Sequence, residues 1–149
     1  NPPKWFASTA WVIPGLIIVN VWRNMGYFMI IYLAGLQNID ESLYEAARMD
    51  GASGWGLFRK ITWPLLTPST FFVVMMLTIN SFKVFDLVYL MTQGGPGTAS
   101  TMISQYIYNQ AFVSWNYGRS SAAAMILFLI VGLLTVIQFR AEKKLVNYT

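Results

Sequence analysis

The sequence predicts an all-α integral membrane protein, with three transmembrane helices joined by a helical cytoplasmic loop and an outer loop. Three observations carry this expectation. Charged residues make up only 11% of the 149-residue chain, against 56% hydrophobic, whereas a soluble domain carries about 25% charged residues. Three apolar segments run roughly over residues 11–36, 65–91 and 120–139; each approaches or exceeds the ~20 helical residues that cross a hydrocarbon core of about 30 Å. The basic residues also divide unevenly between the segments' ends.

The first segment has one charge, Arg23, and Pro14 in its first turn. The second is interrupted by Lys83 and Asp86, and the third has no charge. Between the first two lies a polar stretch, residues 37–64, carrying Arg48, Arg59 and Lys60; the tail carries Arg140, Lys143 and Lys144. The opposite side holds only Lys4 and Arg119. The side richer in Lys and Arg faces the cytoplasm, so residues 37–64 and the C-terminus are expected there, and residues 92–119 outside. Trp5, Trp11, Trp63, Trp115 and Tyr117 fall near segment ends, where aromatic rings favour the membrane–water boundary. A buried helical hairpin in a large soluble protein is the bland alternative, and it leaves the charge asymmetry unexplained.

Several function classes are excluded or disfavoured. Intrinsic disorder needs low hydrophobicity and high net charge. The absence of Cys and His removes disulfides, thiolate nucleophiles, Cys/His zinc sites and catalysis that relies on a His base. No cluster of carboxylates offers a metal or acid–base pair, so no catalytic residue, metal, cofactor or nucleic-acid partner is expected. The chain opens in Asn1-Pro2-Pro3-Lys4 with no basic stretch ahead of an apolar run. A signal peptide is therefore not expected, and the chain reads as a piece of a larger membrane protein.

The 40–64 loop is the most informative stretch. Ser42 and Glu45 have capping-box spacing, with Asp40 as a competing N-cap. Gly51 suits a left-handed helix stop. A second short helix is expected around residues 55–62, and Pro64 and Pro68 then sit near the start of the next span, where Pro is tolerated. The loop mixes apolar Leu43, Tyr44, Met49, Trp55 and Phe58 with both signs of charge. Such a face suits a helix laid into a partner's groove; an amphipathic linker lying on the membrane is the other reading.

Glu45-Ala46-Ala47, then Gly51 four residues on, then Ile61 and Pro64, resembles the E-A-A-x3-G-x9-I-x-L-P signature of permease subunits of ABC importers. Trp63 stands where the signature has Leu. Gly35-Leu36-Gln37 and Thr92-x-Gly94-Gly95-Pro96 are similar to the carbohydrate-uptake branch, which includes the maltose and glycerol-phosphate permeases. The resemblance covers essentially the whole chain and implies the C-terminal half of a permease core of about six helices. It implies that the loop inserts into a cleft of a cytoplasmic ATP-binding subunit: Glu45 pairs with a basic group, Ala46 and Ala47 permit close approach, Gly51 makes the turn, and Ile61 and Pro64 complete the coupling motif. It further implies a second permease subunit, a periplasmic or lipid-anchored solute-binding protein, and a multi-pass location in the cell inner membrane. ATP is left to a separate subunit, since no G-x-x-x-x-G-K-[ST] stands in this chain.

Polar groups within the spans are candidates for the transport path, because ionisable groups at bilayer depth usually face protein or water. Arg23 and Asn24 are placed near mid-helix, facing a path or bonded to neighbouring carbonyls. Asn80, Lys83 and Asp86 recur every three residues and share a broad face of a continuous helix; Lys83 and Asp86 then neutralise each other, and Tyr89 adds a polar aromatic. A structural ion pair near the outer helix end is the competing reading. The small residues of the third span, Gly118, Ser121, Ala122, Ala123, Ala124 and Gly132, suit packing against sibling helices. The aromatic-rich 92–119 loop suits either docking of the solute-binding protein or an interfacial helix. The sequon at Asn147-Tyr148-Thr149 falls on the cytoplasmic side and is attributed to chance. Two rival functions stay open: a permease for a non-sugar solute, and a membrane scaffold or anchor without a transport role.

Overall fold

A computed structural model describes residues 4–145. The opening Asn1-Pro2-Pro3 and the closing 146–149, with the Asn147-Tyr148-Thr149 sequon, lie outside the described residues, as does the side chain of Lys144. Among the described residues all regular structure is helical. The helices are α1 (Val12–Gln37), α2 (Glu41–Met49), α3 (Gly54–Leu65), α4 (Thr67–Phe82), α5 (Asp86–Met91), α6 (Ile103–Tyr108, running on into Asn109–Val113) and α7 (Tyr117–Leu145).

By length and composition, Val12–Gln37 and Tyr117–Lys143 qualify as candidate membrane spans; a third counts if the bent pair Gly54–Leu65 and Thr67–Phe82 is one span. Only 6% of the apolar window of α1, and none of that of α7, is buried inside the chain. Apolar faces so bare would be a liability in water and are ordinary in lipid or against further spans.

The backbone over residues 65–91 is not one helix. α3 carries a π-turn at Phe58–Thr62, where the Trp63 N–H donates to the Phe58 carbonyl. That wider turn sits just before Pro64, whose ring would crowd the carbonyl four residues back in a regular helix. The chain then bends by 63° into α4. Pro68 has no N–H to give the Pro64 carbonyl; the Thr67 hydroxyl donates to it instead, at 2.7 Å. Pro64 thus lies inside the helix before the bend, and Pro68 in the first turn after it.

A second break follows Phe82. Lys83, Val84 and Phe85 leave the helix, and α5 restarts at Asp86. The last span expected over 120–139 begins earlier and runs longer, as α7.

The described residues form two compact units, 4–24 with 78–135, and 25–77 with 136–145. In the first, Val12 and Leu16 of α1 pack with Leu87 and Val88 of α5, flanked by Val84 and Met102. Phe6 lies over Gly15: a Cβ there would stand 3.1 Å from the Phe6 ring. In the second, the end of α1 packs closely on the start of α4. A Cβ at Gly35 would fall 2.5 Å from Ser69 Oγ and 3.0 Å from Leu66 Cδ2, so a larger residue there would have to displace the Ser69 hydroxyl. The Phe71 and Phe139 rings meet at 5.9 Å.

Candidate functional site

The 40–64 loop is built by local chemistry. Asp40 is extended at φ −62° and ψ 130°, and its carboxylate accepts the Ser42 N–H at 2.9 Å. That bond holds the Asp40 carboxyl below its usual range. Asp40 thus takes the N-cap position, ahead of the Ser42–Glu45 capping-box pairing. α2 ends in a Schellman motif: the Gly51 N–H donates to the Arg48 carbonyl at 3.0 Å, and the Ala52 N–H to the Ala47 carbonyl at 2.9 Å. Gly51 stands at φ +80°, in the region where side chains other than glycine are strained.

No residue of α2 is buried. Glu45 and Ala46 are exposed, Ala47 is half-buried, and Met49 at the helix end is 88% exposed. Ile61 and Pro64 are half-buried on α3. Trp55 stacks on Phe58 at 5.1 Å, and Phe58 lies 6.3 Å from Trp63. The Tyr44 and Thr62 hydroxyls bond at 3.0 Å, a link with no signature in the sequence.

The polar residues of the spans are placed differently from the expectation of one continuous helix. Arg23 of α1 pairs with Asp86 at the start of α5. Lys83 and Asp86 do not neutralise each other; among the described residues Lys83 makes no ion pair and is exposed. The reason is the break after Phe82, which separates Lys83 and Asp86 from the helix that carries Asn80. Asn80 is exposed at the end of α4, and its carbonyl accepts the Lys83 N–H at 3.1 Å. The Asn24 amide turns along its own helix to the Asn20 carbonyl and side chain, at 2.8 and 3.0 Å. Tyr89 joins an aromatic group, stacked on Phe85 at 5.1 Å and edge-on to Tyr108 at 5.4 Å.

An open cleft of about 160 Å³ is lined by Leu16, Leu87, Val88 and Met102, with Asn20 and Ser81 as its polar members. Small-molecule sites usually occupy ~300–1,000 Å³, so this cleft alone holds at most part of a solute.

Residues 92–100 form a tight knot that explains Thr92-x-Gly94-Gly95-Pro96. The Thr92 and Ser100 hydroxyls bond at 2.8 Å, and Ser100, almost fully buried, also donates to the Gly95 carbonyl at 2.7 Å. Gly94 stands at φ +89°, where a Cβ would meet Thr101 Oγ1 at 2.8 Å. The Gly95–Pro96 bond is cis. Within the 92–119 loop, Ser104 of α6 donates to the Phe82 carbonyl at 2.9 Å, closing the end of α4. Sequence reasoning missed Ser100, Ser104 and the Tyr44–Thr62 link, because Ser, Thr and Tyr carry no spacing that announces a distant partner.

Helices long and apolar enough to cross a membrane, and an exposed short helix capped at both ends, fit a membrane-embedded chain with one helix left free. The chain belongs to the family described as the binding-protein-dependent transport system inner membrane component, whose model matches residues 4–146. It is 39% identical over 147 residues to the lactose transport system permease protein LacF of Rhizobium radiobacter, covering 97% of this chain and 49% of that protein. It is 41% identical over 137 residues to the sn-glycerol-3-phosphate transport system permease protein UgpA of Brucella abortus, covering 91% and 47%. Among solved structures it resembles a chain of a bacterial alginate ABC transporter in complex with an alginate pentasaccharide-bound periplasmic protein. The TM-score is 0.86 at 25% identity, covering 97% of this chain and 50% of that one. The chain thus spans about half the length of the relatives it matches, and those relatives are transport permeases.

Proposed function

We propose that this chain is the C-terminal half of the permease subunit of an ATP-driven importer for a sugar or related polyol. The observation that carries the reading is α2: an exposed, sharply capped helix bearing Glu45-Ala46-Ala47 and stopped by Gly51, in a chain of this family. A helix with no buried residue is free to enter a partner's groove, and Glu45 offers that partner a carboxylate. ATP is handled by a separate cytoplasmic subunit, and this chain performs no covalent chemistry. A second permease subunit completes the path, and a periplasmic or lipid-anchored protein delivers the solute. The apolar segments 11–36, 65–91 and 120–139 cross the inner membrane, with the 37–64 loop and the C-terminus in the cytoplasm and the 92–119 loop outside. Movement of α2 on ATP binding rocks the spans in alternating access.

The solute-facing candidates are Arg23, Asn24, Asn80, Lys83, Asp86 and Tyr89. Irregular backbone at membrane depth is tolerated where it is buried in protein or lines a water-filled cavity, which supports the 83–85 break as a path-lining feature. Lys83, exposed and without an ion pair among the described residues, is the strongest candidate for solute contact. Asp86 and Arg23 neutralise each other, and Tyr89 presents a partly exposed ring. The sugar assignment is supported by the relatives' names.

Co-purification of the full-length subunit with its ATP-binding subunit tests the reading. Association lost in a Glu45→Lys, Gly51→Pro double variant is the expected result. Association that survives moves the contact elsewhere, and no association in the parent favours the scaffold. Uptake of lactose, sn-glycerol-3-phosphate and an amino acid by the reconstituted importer separates a sugar permease from one for another solute.

A further inference from the structure

α2 and α3 are joined by four residues, Asp50 to Ser53, and this connection is followed by Gly54 at φ +39°, with Gly51 at φ +80° inside it. Two glycines in left-handed conformations make a joint that absorbs rotation easily. A push on α2 would be lost in that joint unless something braced the two helices beyond it. The Tyr44 and Thr62 hydroxyls supply a brace, 3.0 Å apart and bridging 18 residues. Among the described residues no other side-chain hydrogen bond joins α2 to α3. Both residues are half-buried and belong to the same compact unit. Thr62 is the last residue of the π-turn. Five residues on, the Thr67 hydroxyl holds the Pro64 carbonyl across the 63° bend. Two hydroxyl bonds thus tie α2 to α3 and α3 to α4.

We propose that the Tyr44–Thr62 bond is the strut that makes α2 and α3 move as one body, so that displacement of α2 reaches α4 instead of dissipating at Gly51 and Gly54. Tyr44 and Thr62 are positioning residues in this account. The inference rests on the coupling reading of α2.

The test uses the full-length subunit, on a cysteine-free background, assembled with its sister permease and a hydrolysis-deficient ATP-binding subunit. Spin labels at Glu41→Cys on α2 and Phe72→Cys on α4 report their separation by pulsed electron paramagnetic resonance, with and without ATP. With the strut intact, the distance distribution is expected to stay narrow and unshifted when ATP binds. In Tyr44→Phe or Thr62→Val an ATP-dependent second distance is expected, its population raised about fivefold, the ratio matching a typical net hydrogen bond. Thr62→Ser, which keeps the hydroxyl, is expected to restore the single distance. The Tyr44→Phe, Thr62→Val double variant is expected to match either single one, since both remove the same bond. A single narrow distance in both single variants with ATP would overturn the strut, and so would additive effects in the double variant. A broad distribution already present without ATP would reduce the pair to a purely structural contact and overturn it as well. Co-purification of Glu45→Lys separates the two levels of failure. If that variant keeps the ATP-binding subunit, the coupling reading itself fails and takes the strut with it; if it loses the subunit while the distances stay single, the strut fails alone.

Discussion

In the 40–66 segment each change of direction has a residue beside it that makes the change. Asp40 opens α2, Gly51 closes it in the left-handed region, and Pro64 and Pro68 bracket the bend into α4. The 82–86 segment contains no glycine and no proline, yet α4 stops at Phe82 and α5 restarts at Asp86. What holds that break comes from far along the chain. Ser104 bonds the Phe82 carbonyl, Arg23 pairs with Asp86, and Tyr108 packs on Phe85 at 5.0 Å. The contrast separates two ways of ending a helix: by the dihedral preferences of the local residues, and by distant groups that satisfy the freed backbone and side chains. The first kind is expected to fail sharply at single positions. The second is expected to spread its effect over partners.

The largest effect is expected at Gly51. Proline fixes φ near −65°, while Gly51 stands at +80° and donates its N–H to Arg48. Gly51→Pro should cost about 3 kcal/mol locally, which corresponds to a transport loss on the order of a hundredfold. ATP hydrolysis by the partner subunit, measured in the same proteoliposomes, should persist. Near-normal uptake would remove the loop's geometry from coupling.

Gly35 comes next. A side chain at position 35 would press on Ser69 and Leu66, and overpacking a close contact typically costs about 1–3 kcal/mol. Gly35→Leu should lower the thermal midpoint of the detergent-solubilised subunit clearly, and Gly35→Ala less. Ser69→Ala should recover part of the Gly35→Ala loss by removing the oxygen that the new methyl meets. A Gly35→Leu midpoint equal to the parent's would show that the helices part freely there.

The Arg23–Asp86 pair sharpens the comparison. Arg23→Gln or Asp86→Asn should each leave the other charge unpaired and lower the thermal midpoint. Exchanging the two, Arg23→Asp with Asp86→Arg, should recover most of the loss. Lys83→Gln, at the same break, should leave the unfolding midpoint unchanged and instead alter the concentration dependence of uptake. If Lys83→Gln destabilises as much as Asp86→Asn, the division between a structural pair and an available cation fails.

The smallest effect is a pH dependence at Asp40. The Ser42 N–H holds its carboxyl below the usual range, so its contribution is complete above the unfolded-state value and is lost as pH falls through the lower folded-state one. Amide exchange in residues 41–45 should therefore speed up in acid. Asp40→Asn, which still caps, should keep the helix and remove this share of the pH dependence. Equal acid sensitivity in both forms would assign the fraying to other groups.

Composition, segment length and the placement of Lys and Arg were enough to mark an all-helical membrane chain. Gly51 was legible because a left-handed helix stop depends on residues within a few positions of one another. The same holds for Asp40, one of two caps the sequence left open; geometry chose it by bringing its carboxylate to the Ser42 amide. The break after Phe82 was not legible, and the face expected to unite Asn80, Lys83 and Asp86 dissolved with it. A helix interrupted by tertiary partners has the same apolar, β-branched sequence as one that continues. For the same reason Asp86 was matched with its near neighbour Lys83, although its partner Arg23 lies 63 residues away. The glycine at 35 signalled resemblance, but the cause of its size emerged only when Ser69 came to lie against it. Local dihedral and hydrogen-bond preferences are written along the chain. Pairings between distant hydroxyls, charges and close-packed backbones exist only once the helices are assembled, because each group alone has many partners it could take.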